Sequence, residues 1–293
     1  MGSTLLRITI FCLGEIMENT QKHAETPQQL FEKAQQAVAD NNRYQAATLF
    51  LDAAVKGHCE AQYRVGDCYY NGFGFTKNYE EAVKWYLAAA TQGSAKAQFM
   101  LSECHHWGRG AEESDEKAVE WLRKSAEQGY AVAQDMLGWY YDGGENGLEK
   151  NDIEAVKWYT LAANQGYAEA QYNLGVCYYN GQGVKKDPFK AFELFTLAEQ
   201  QGHVFAQSGL GDCYFFGKGV PKKDYQKAVE WYTKAAEQGH SIAQYGLGTC
   251  YYSGKGVPKD KLTATKWFKK AAAQGSPQAK SMLKKLKKFI DKV

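Results

Sequence analysis

Small and large apolar residues recur along the chain with a helical period. In the second half of each repeating unit, an Ala lies eleven residues before a closing Gly, a Trp or Leu follows that Ala by three positions, and an Ala or Ser follows it by seven. This spacing places the side chains on one face of a helix, where small residues admit a neighbouring helix and the large one fills the adjoining groove. We name this predicted helix B. The glycines that close it in a left-handed conformation are Gly57, Gly93, Gly129, Gly166, Gly202, Gly239 and Gly275.

A second helix, helix A, is predicted ahead of helix B. Its marker is a Gln followed three positions later by an aliphatic residue and then, in most units, by a Gly, with Ser102 as the exception. A Gly inside a helix costs roughly 1 kcal/mol against Ala, so its recurrence predicts close packing at this point. The loops between helices A and B, such as residues 180–184, carry two glycines but match no phosphate-binding motif, and we expect turns. The markers are Gln62, Gln98, Gln134, Gln171, Gln207 and Gln244.

The unit recurs every 36 or 37 residues over most of the chain. Repeats of this length stack on one another and bury a continuous core, so we predict an all-α solenoid of antiparallel helix pairs. The ends are an N-terminal extension at residues 1–26, targeting or disordered, and a C-terminal capping helix at residues 276–293. A helix pair with a shorter loop occupies residues 27–57. The six repeats occupy residues 58–93, 94–129, 130–166, 167–202, 203–239 and 240–275.

The repeats resemble the Sel1-like repeat, a relative of the tetratricopeptide repeat, through the pattern A-Q-Y-x-L-G-x-x-Y-Y-x-G-x-G-V-x-K-D-x-x-K-A-x-x-W-Y-x-K-A-A-x-Q-G. Residues 171–202 and 244–275 follow it most closely. The resemblance implies a right-handed superhelical solenoid that acts as an adaptor in protein complexes. It supplies no catalytic residue and no cofactor. We therefore expect a scaffold rather than an enzyme, with a protein or peptide partner and no small-molecule substrate.

Charge and composition narrow the class of partner. The chain has 35 basic and 33 acidic residues and 44% hydrophobic content, which indicates a folded protein too evenly charged to bind nucleic acid as its main task. The basic segment from Lys284 to Phe289 is amphipathic. We interpret it as part of the capping helix, with binding to acidic lipid or RNA as the alternative.

The amino terminus and the cysteine count bear on localisation. The apolar stretch from Leu5 to Ile16 is interrupted by Arg7 and Glu15 and is too short to span a membrane, so we expect no stable membrane insertion. It is either a signal peptide or an extension upstream of a true start at Met17. The odd count of seven Cys and the lack of an Asn-x-Ser/Thr sequon favour the cytoplasm. A secreted or periplasmic protein is the alternative if residues 1–16 act as a signal.

Five cysteines share one position in helix A. Equivalent positions in stacked helices lie about 8–10 Å apart, beyond the roughly 7 Å limit for a disulfide, so we expect small buried residues. The chain is also similar to bacterial cysteine-rich Sel1-like proteins, which implies the alternative function of a serine-type hydrolase or penicillin-binding protein acting on β-lactams or cell-wall peptides. Those proteins pair a Cys of helix A with one of helix B, and the helix B Cys is absent here. The five are Cys68, Cys104, Cys177, Cys213 and Cys250.

Two other motifs resemble parts of a catalytic site and of a metal site, but each lacks the further residues or the spacing that such a site needs. S-x-x-K tetrads begin at Ser114 and Ser281, yet neither S-D-N nor K-T-G accompanies them, and we interpret them as chance. Cys104, His105 and His106 are consecutive, so a helix points them in three directions, whereas metal ligands need spacing of three or four residues. We predict no metal site.

The positions that break the repeat are the candidates for function. They lie two, five and nine residues after the marker Gln, on a stripe of helix A that varies among repeats and is expected to face the inner, concave groove of the superhelix. Trp107 and Trp139 are on this stripe, where a large apolar side chain is typical of a binding hot spot. Local repacking of repeats two and three is the alternative. We predict that the partner-binding residues are Met100, Glu103, His106, Trp107, Met136, Trp139, Asn173, Asn180, Asp212 and Phe216.

Overall fold

A computed structural model describes residues 25–290, with side chains to residue 287. Within this range the chain forms fifteen α-helices and no β-strand, and none of these helices has the length and apolar character needed to cross a membrane. Residues 1–24 of the predicted N-terminal extension lie outside the described range, and so do its targeting role and the choice of start at Met17. The chain divides into two compact units, residues 1–125 and residues 126–293, which are described separately.

The helices follow the predicted order, with odd-numbered helices as helix A and even-numbered ones as helix B. Unit 1 contains α1 (Pro27–Ala39), α2 (Arg43–Val55), α3 (Cys59–Asn71), α4 (Tyr79–Thr91), α5 (Ala95–His106) and most of α6 (Asp115–Glu127). Unit 2 contains α7 (Ala131–Gly143), α8 (Asp152–Asn164), α9 (Ala168–Asn180), α10 (Pro188–Glu199), α11 (Val204–Phe216), α12 (Tyr225–Glu237), α13 (Ser241–Ser253), α14 (Lys261–Ala273) and α15 (Pro277–Ile290). Consecutive helices pack together from α1 to α5 and from α7 to α15. This confirms the predicted all-α repeat solenoid of helix pairs.

Helix B in unit 2 begins where the loop supplies a capping side chain. A side-chain oxygen at this position accepts hydrogen bonds of 2.9–3.2 Å from backbone N–H groups in the first turn of the helix. These N–H groups have no partner inside the helix, so the cap satisfies them. The capping residues are Asn151, Asp187, Asp224 and Asp260.

The marker Gln of helix A joins its own helix pair to the preceding one. Gln244 Nε2 donates to the carbonyl oxygen of Ala236 on the preceding helix B at 3.2 Å, and Gln244 Oε1 accepts from Gln274 Nε2 after the following helix B at 2.9 Å. Gln62 makes the equivalent bonds in unit 1. Because a buried amide needs hydrogen-bond partners, the Gln recurs where both neighbours provide them.

A buried ring on helix B explains the Gly of helix A. A Cβ built on Gly211 would lie 2.5 Å from the ring of Tyr232, which is 3% exposed, so a larger residue would displace the ring. In repeat two, where helix A carries Ser102, the ring position of helix B holds Leu122. The other rings that face a helix A Gly in this way are Tyr86, Tyr159, Phe195 and Phe268.

The structure confirms the predicted core role for one helix B tryptophan and corrects it for the other four. Trp158 is 6% exposed, as the pattern predicted, but Trp231 is part-buried and the buried ring belongs to the next residue, Tyr232. One step along a helix turns the side chain by roughly 100°, which moves the Trp toward solvent. Trp121 is part-buried against the core of unit 1, and Lys124 Nζ lies 4.3 Å from its ring centroid. Trp231 and Lys234 repeat this contact at 4.1 Å in unit 2.

The five cysteines that share a helix A position are buried, as predicted. Each is at most 3% exposed and each is a free thiol. Burial raises the pKa of Cys213 to about 12, and burial acts in the same way on the other four. Since the thiolate is the nucleophile and the metal ligand, these side chains serve packing. Cys59 is part-buried and also free.

The second glycine of the A–B loop packs against the preceding helix B. A Cβ built on Gly183 would overlap the carbonyl oxygen of Asp152, and Gly183 has a φ of 66°, in the region that favours Gly. Gly256 lies in the same way against Tyr225. The loop glycines therefore permit close packing between consecutive helix pairs, in agreement with the predicted turns.

Candidate partner-binding faces

Two adjoining cavities lie on the helix A face of unit 2. Asp212 and Ile242 line both of them, Asn180 lines the first and Phe216 the second. The first cavity, of about 180 Å³, is lined by α9, α11 and α13 through Tyr172, Val176, Asn180, Phe205, Asp212 and Ile242. The second, of about 310 Å³, is lined by residues that include Asp212, Phe216, Ile242, Tyr245 and Thr249. The structure thus places three of the predicted residues on cavity walls.

Asp212 stands on α11 between the two cavities. Its Oδ1 accepts a hydrogen bond from the Tyr232 hydroxyl at 2.5 Å, and no described residue donates to Oδ2. Burial raises the pKa of the Asp212 carboxyl, while the bond from Tyr232 and the charge of Lys218 act to lower it. Lys218 Nζ lies 4.9 Å from the ring centroid of Tyr179 and 5.7 Å from that of Phe216, and it forms no ion pair with Asp212 in the described part of the chain. One carboxylate oxygen therefore lacks a partner beside the cavities.

Asn173 is held by a neighbouring carboxylate. Its Nδ2 donates to Asp135 Oδ1 at 3.0 Å, and Asp135 is 8% exposed. Burial raises the pKa of Asp135 to about 6, and the bond from Asn173 acts in the opposite direction. Glu169 lies on the same helix as Asn173 and contacts His203 Nε2 at 2.9 Å, a hydrogen bond that lowers the Glu169 pKa. These polar groups already have partners within unit 2.

Trp139 and Met136 lie together on α7. Trp139 is 48% exposed, and its ring centroid lies 5.6 Å from that of Tyr140, which is 2% exposed. Met136 is part-buried. The Trp139 ring is therefore half-exposed to solvent and lies beside the buried ring of Tyr140.

In unit 1, three predicted residues form a cluster at the end of α5. Trp107 is 56% exposed, and its Nε1 donates to Glu103 Oε2 at 3.3 Å. The imidazole of His106 lies edge-on to the Trp107 ring at a centroid distance of 4.5 Å, and the Arg109 guanidinium lies 5.8 Å from that ring. Met100, by contrast, is part-buried against the core of unit 1. The structure brings Glu103, His106 and Trp107 together and gives Met100 a packing contact.

Unit 1 also has a cavity, of about 470 Å³, that the sequence did not single out. Its lining includes Arg64, Asp67 and Asn71, all on the variable stripe of α3. Asp67 accepts a hydrogen bond from the Tyr86 hydroxyl at 2.9 Å. Burial raises the Asp67 pKa, and the hydrogen bonds from Tyr86 and Tyr63 and the charge of Arg64 oppose that effect. The cavity therefore places a carboxylate near a cation of the same helix, Arg64, whose ion pair is with Glu60 at 3.3 Å.

The sequence pattern missed a position that lines both cavities of unit 2, two residues before the marker Gln. Phe205 and Ile242 occupy it in α11 and α13, and they are 47% and 58% exposed. This position lies four residues before the start of the predicted stripe, so the helical period extends the stripe to it. Its variation is the signal that identifies it: the residues are Glu60, Lys96, Val132, Glu169, Phe205 and Ile242.

The serine and histidine motifs occupy structural positions. Ser114 Oγ accepts the backbone N–H of Lys117 at 3.3 Å, and Lys117 Nζ pairs with Glu112 at 3.1 Å, so Lys117 is not placed as a base for Ser114. Ser281 is exposed on α15. His105 Nδ1 lies 2.9 Å from the Glu112 carbonyl oxygen. Between residues 25 and 290, no three His, Cys, Asp or Glu side chains are grouped as metal ligands.

The helix A segments of the two units differ in charge. In unit 1, α1, α3 and α5 carry both signs, with the cations Lys33, Arg64 and Lys96. In unit 2, α7, α9, α11 and α13 contain no Lys or Arg, and their acidic residues are Asp135, Asp142, Glu169 and Asp212. The face formed by α7, α9, α11 and α13 is therefore anionic, although the whole chain is nearly neutral and the last helix, α15, carries Lys280, Lys284 and Lys285.

The repeat pattern and the helix pairs match a known family. The family model described as Sel1 repeat matches residues 59–94, 95–130, 131–167, 168–203, 204–240 and 241–276. Each match begins one residue after a repeat boundary predicted from the sequence. The chain belongs to the Sel1 repeat family. Proteins of this family are generally protein-interaction scaffolds, and the fold is typically non-enzymatic.

Two solved structures of repeat proteins are also similar to this chain. A protective antigen present in uropathogenic Escherichia coli strains, which displays an SLR fold, is 34% identical with a TM-score of 0.78, and the match covers 88% of this chain and 56% of the antigen. The chain thus spans about half the length of that antigen. A Sel1 repeat protein from Oxalobacter formigenes is 34% identical with a TM-score of 0.73, over 83% of this chain and 96% of its own. No curated protein matches the chain.

Proposed function

We propose that this protein is a non-enzymatic scaffold that binds a protein or peptide through the helix A face of unit 2, with a separate contact surface around Trp107 in unit 1. The observation that carries the proposal is Phe216, which is half-exposed beside a cavity at a position that differs from repeat to repeat. Repeating positions serve packing, whereas exposed apolar side chains beside pockets are typical of binding hot spots.

The sizes of the two cavities of unit 2 and the charges beside them support a protein partner of this unit over other ligands. Small-molecule pockets enclose roughly 300–1,000 Å³, and the two cavities of unit 2, at about 180 and 310 Å³, lie below or at the bottom of that range. Each has the size to receive a side chain. Nucleic acid is disfavoured because phosphates bind to basic side chains, which α7, α9, α11 and α13 lack.

The test compares two exposed phenylalanines in unit 2. Proteins captured by the full-length chain are purified, and their affinity is measured for wild type, Phe216→Ala and Phe189→Ala. Phe189 is 62% exposed but lies on α10, a helix B, so it is the matched control. We expect Phe216→Ala to weaken binding by about tenfold or more, as a hot spot does, and Phe189→Ala to leave it unchanged. Equal affinities for all three would contradict the proposal.

The same protein tests the absence of enzymatic activity. We expect the pure full-length chain to leave a reporter β-lactam unhydrolysed, because Ser114 caps a helix and its Lys117 is paired elsewhere. Turnover that Ser114→Ala or Ser281→Ala abolishes would establish a hydrolase instead.

A further inference from the structure

The anionic residues on the helix A face of unit 2 differ in their availability. Glu169 contacts His203 at 2.9 Å. Asp142 accepts from Gln182 at 2.5 Å. Asp135 is 8% exposed and accepts from Asn173. Asp212 lines both cavities and has an oxygen without a donor among the described residues.

The surroundings of Asp212 combine this carboxylate with apolar side chains. Phe205 and Ile242 line the first cavity, and Ile242 and Phe216 line the second. The position three residues before Asp212 is Gly209, which has no side chain, and the one four residues before it is the small Ser208; both line the first cavity. Lys218, whose charge lowers the Asp212 pKa, lies over the rings of Tyr179 and Phe216.

We infer that the partner of unit 2 presents a Lys or Arg between two apolar side chains, so that the cation pairs with Asp212 and the apolar side chains enter the two adjoining cavities. This inference rests on the proposed scaffold function and specifies the chemistry of its partner. A basic side chain supplies the donor that Asp212 Oδ2 lacks, and charge-assisted hydrogen bonds are among the strongest. An acidic side chain would meet a carboxylate, and a neutral one would leave it without its counter-charge.

The probes are short fluorescent peptides, acetylated and amidated at their ends, with Leu or Phe on both sides of a central residue. The central residue is Arg, Lys, Gln or Glu, and binding to the full-length protein is measured by fluorescence anisotropy. We expect the Arg and Lys peptides to bind about tenfold or more tightly than the Gln peptide, and the Glu peptide to bind weakest. The preference should decrease as salt rises, because the cation and Asp212 are partly accessible to solvent.

The variants Asp212→Asn and Asp67→Asn test whether the charge of Asp212 acts in peptide binding rather than in folding. Both positions accept a hydrogen bond from a helix B tyrosine, and Asn can accept the same bond. We expect Asp212→Asn to abolish both the preference for Arg over Gln and its salt dependence, while Asp67→Asn retains both. Thermal melts of the two variants show whether either has lost its fold.

The outcomes distinguish this inference from the proposed function. If Asp212→Asn keeps the preference for Arg, or if Gln and Arg peptides bind equally, the inference is wrong, whereas the scaffold function stands as long as Phe216→Ala weakens the captured partner. Failure of all the peptides to bind also overturns the inference. The proposed function fails by its own test, in which Phe216→Ala and Phe189→Ala have the same affinity as wild type.

Discussion

Asp67 in unit 1 and Asp212 in unit 2 occupy the same position of the repeat, yet their surroundings differ. Each accepts a hydrogen bond from the hydroxyl of a buried helix B tyrosine and each lines a cavity. One helical turn earlier, unit 1 has Arg64 and unit 2 has Gly209. Asp67 also accepts a hydrogen bond from Tyr63 and lies near the charge of Arg64, whereas Asp212 has only the charge of Lys218 in addition to the Tyr232 bond. The carboxylate of unit 1 is therefore compensated more fully within the chain than that of unit 2.

The comparison shows how a repeat separates fold from recognition. The buried ring of helix B, the Gly against it and the marker Gln keep their packing in most repeats, with Ser102 and Leu122 as the exception. The stripe positions instead carry side chains of different charge and size in different repeats, while the helix pairs are retained. The binding chemistry of each unit can therefore differ while the helix pairs stay the same.

The largest expected effect on stability comes from disturbing the contact between the helix A Gly and the buried helix B ring in unit 2. Gly211→Val should destabilise unit 2 by about 3 kcal/mol, because its Cβ would lie 2.5 Å from the buried Tyr232 ring and overpacking a core is costly. Urea denaturation of the variant measures this loss.

Ser102→Ala in unit 1 is the matched control. Ser102 already carries a Cβ, and its buried hydroxyl has no hydrogen-bond partner, so we expect neutral or slightly raised stability. A loss for Ser102→Ala as large as that for Gly211→Val would show that the Gly–ring contact is not the cause.

Asp135→Asn should change how stability depends on pH, an effect confined to unit 2 because unit 1 has Tyr63 and Phe99 at this position. Folding raises the pKa of Asp135 from 3.8 to about 6, so the folded chain holds the proton more tightly. The Asp135 carboxyl therefore contributes most to the free energy of unfolding below about pH 4. This contribution is lost as the pH rises through 6. Asn does not titrate, so the variant should be more stable than wild type by on the order of 2 kcal/mol at pH 7.

Denaturation of both proteins at pH 4 and at pH 7 measures the Asp135 effect. The two curves should nearly coincide at pH 4 and separate at pH 7. A constant difference at both values would show that the carboxyl does not have a raised pKa.

Tyr232→Phe and Tyr86→Phe test the paired carboxylates directly. Each removes a hydroxyl that donates to a part-buried Asp, at a cost of about 1–2 kcal/mol. Tyr232→Phe should cost more, because Asp67 keeps the hydrogen bond from Tyr63 and the charge of Arg64 after its Tyr86 bond is lost, whereas Asp212 keeps only the charge of Lys218. Equal losses, measured by thermal unfolding, would mean that the Tyr63 bond and Arg64 do not compensate Asp67.

The fold could be predicted from the sequence because its signals repeat. The Ala spacing before the closing Gly located helix B, the marker Gln and the Gly after it located helix A, and the shared Cys position gave the buried thiols correctly. In most repeats the ring that fills the core was assigned one residue too early, at Trp231 instead of Tyr232, whereas Trp158 is buried as predicted. Size and periodicity alone do not separate two adjacent aromatic residues, and the deciding contact, with the Gly of helix A, is between helices.

Only part of the candidate site could be predicted from the sequence. Variation among repeats identified the stripe that contains Asp212 and Phe216, but the stripe stopped one turn short of Phe205 and Ile242, although the helical period extends to them. The partners of Asn173 and Asp212 come from other helices, Asp135 on α7 and Tyr232 on α12. Such pairs depend on the register between stacked helices, which a single sequence does not specify.

The smallest effect on stability is expected for the exposed tryptophans, and it separates binding from local repacking. Trp107→Ala and Trp139→Ala remove side chains that are 56% and 48% exposed, so each should change stability by only about 0.5 kcal/mol. Trp121→Ala removes a part-buried ring that packs against the core of unit 1 and should cost about 2 kcal/mol, less than the ~3–5 kcal/mol of a fully buried ring.

If Trp107 and Trp139 are binding residues, their variants should weaken capture of the purified partner by about 2 kcal/mol or more while melting like wild type. If they destabilise the chain as much as Trp121→Ala does, they are packing residues of irregular repeats, and the contact surface around Trp107 is not a binding site.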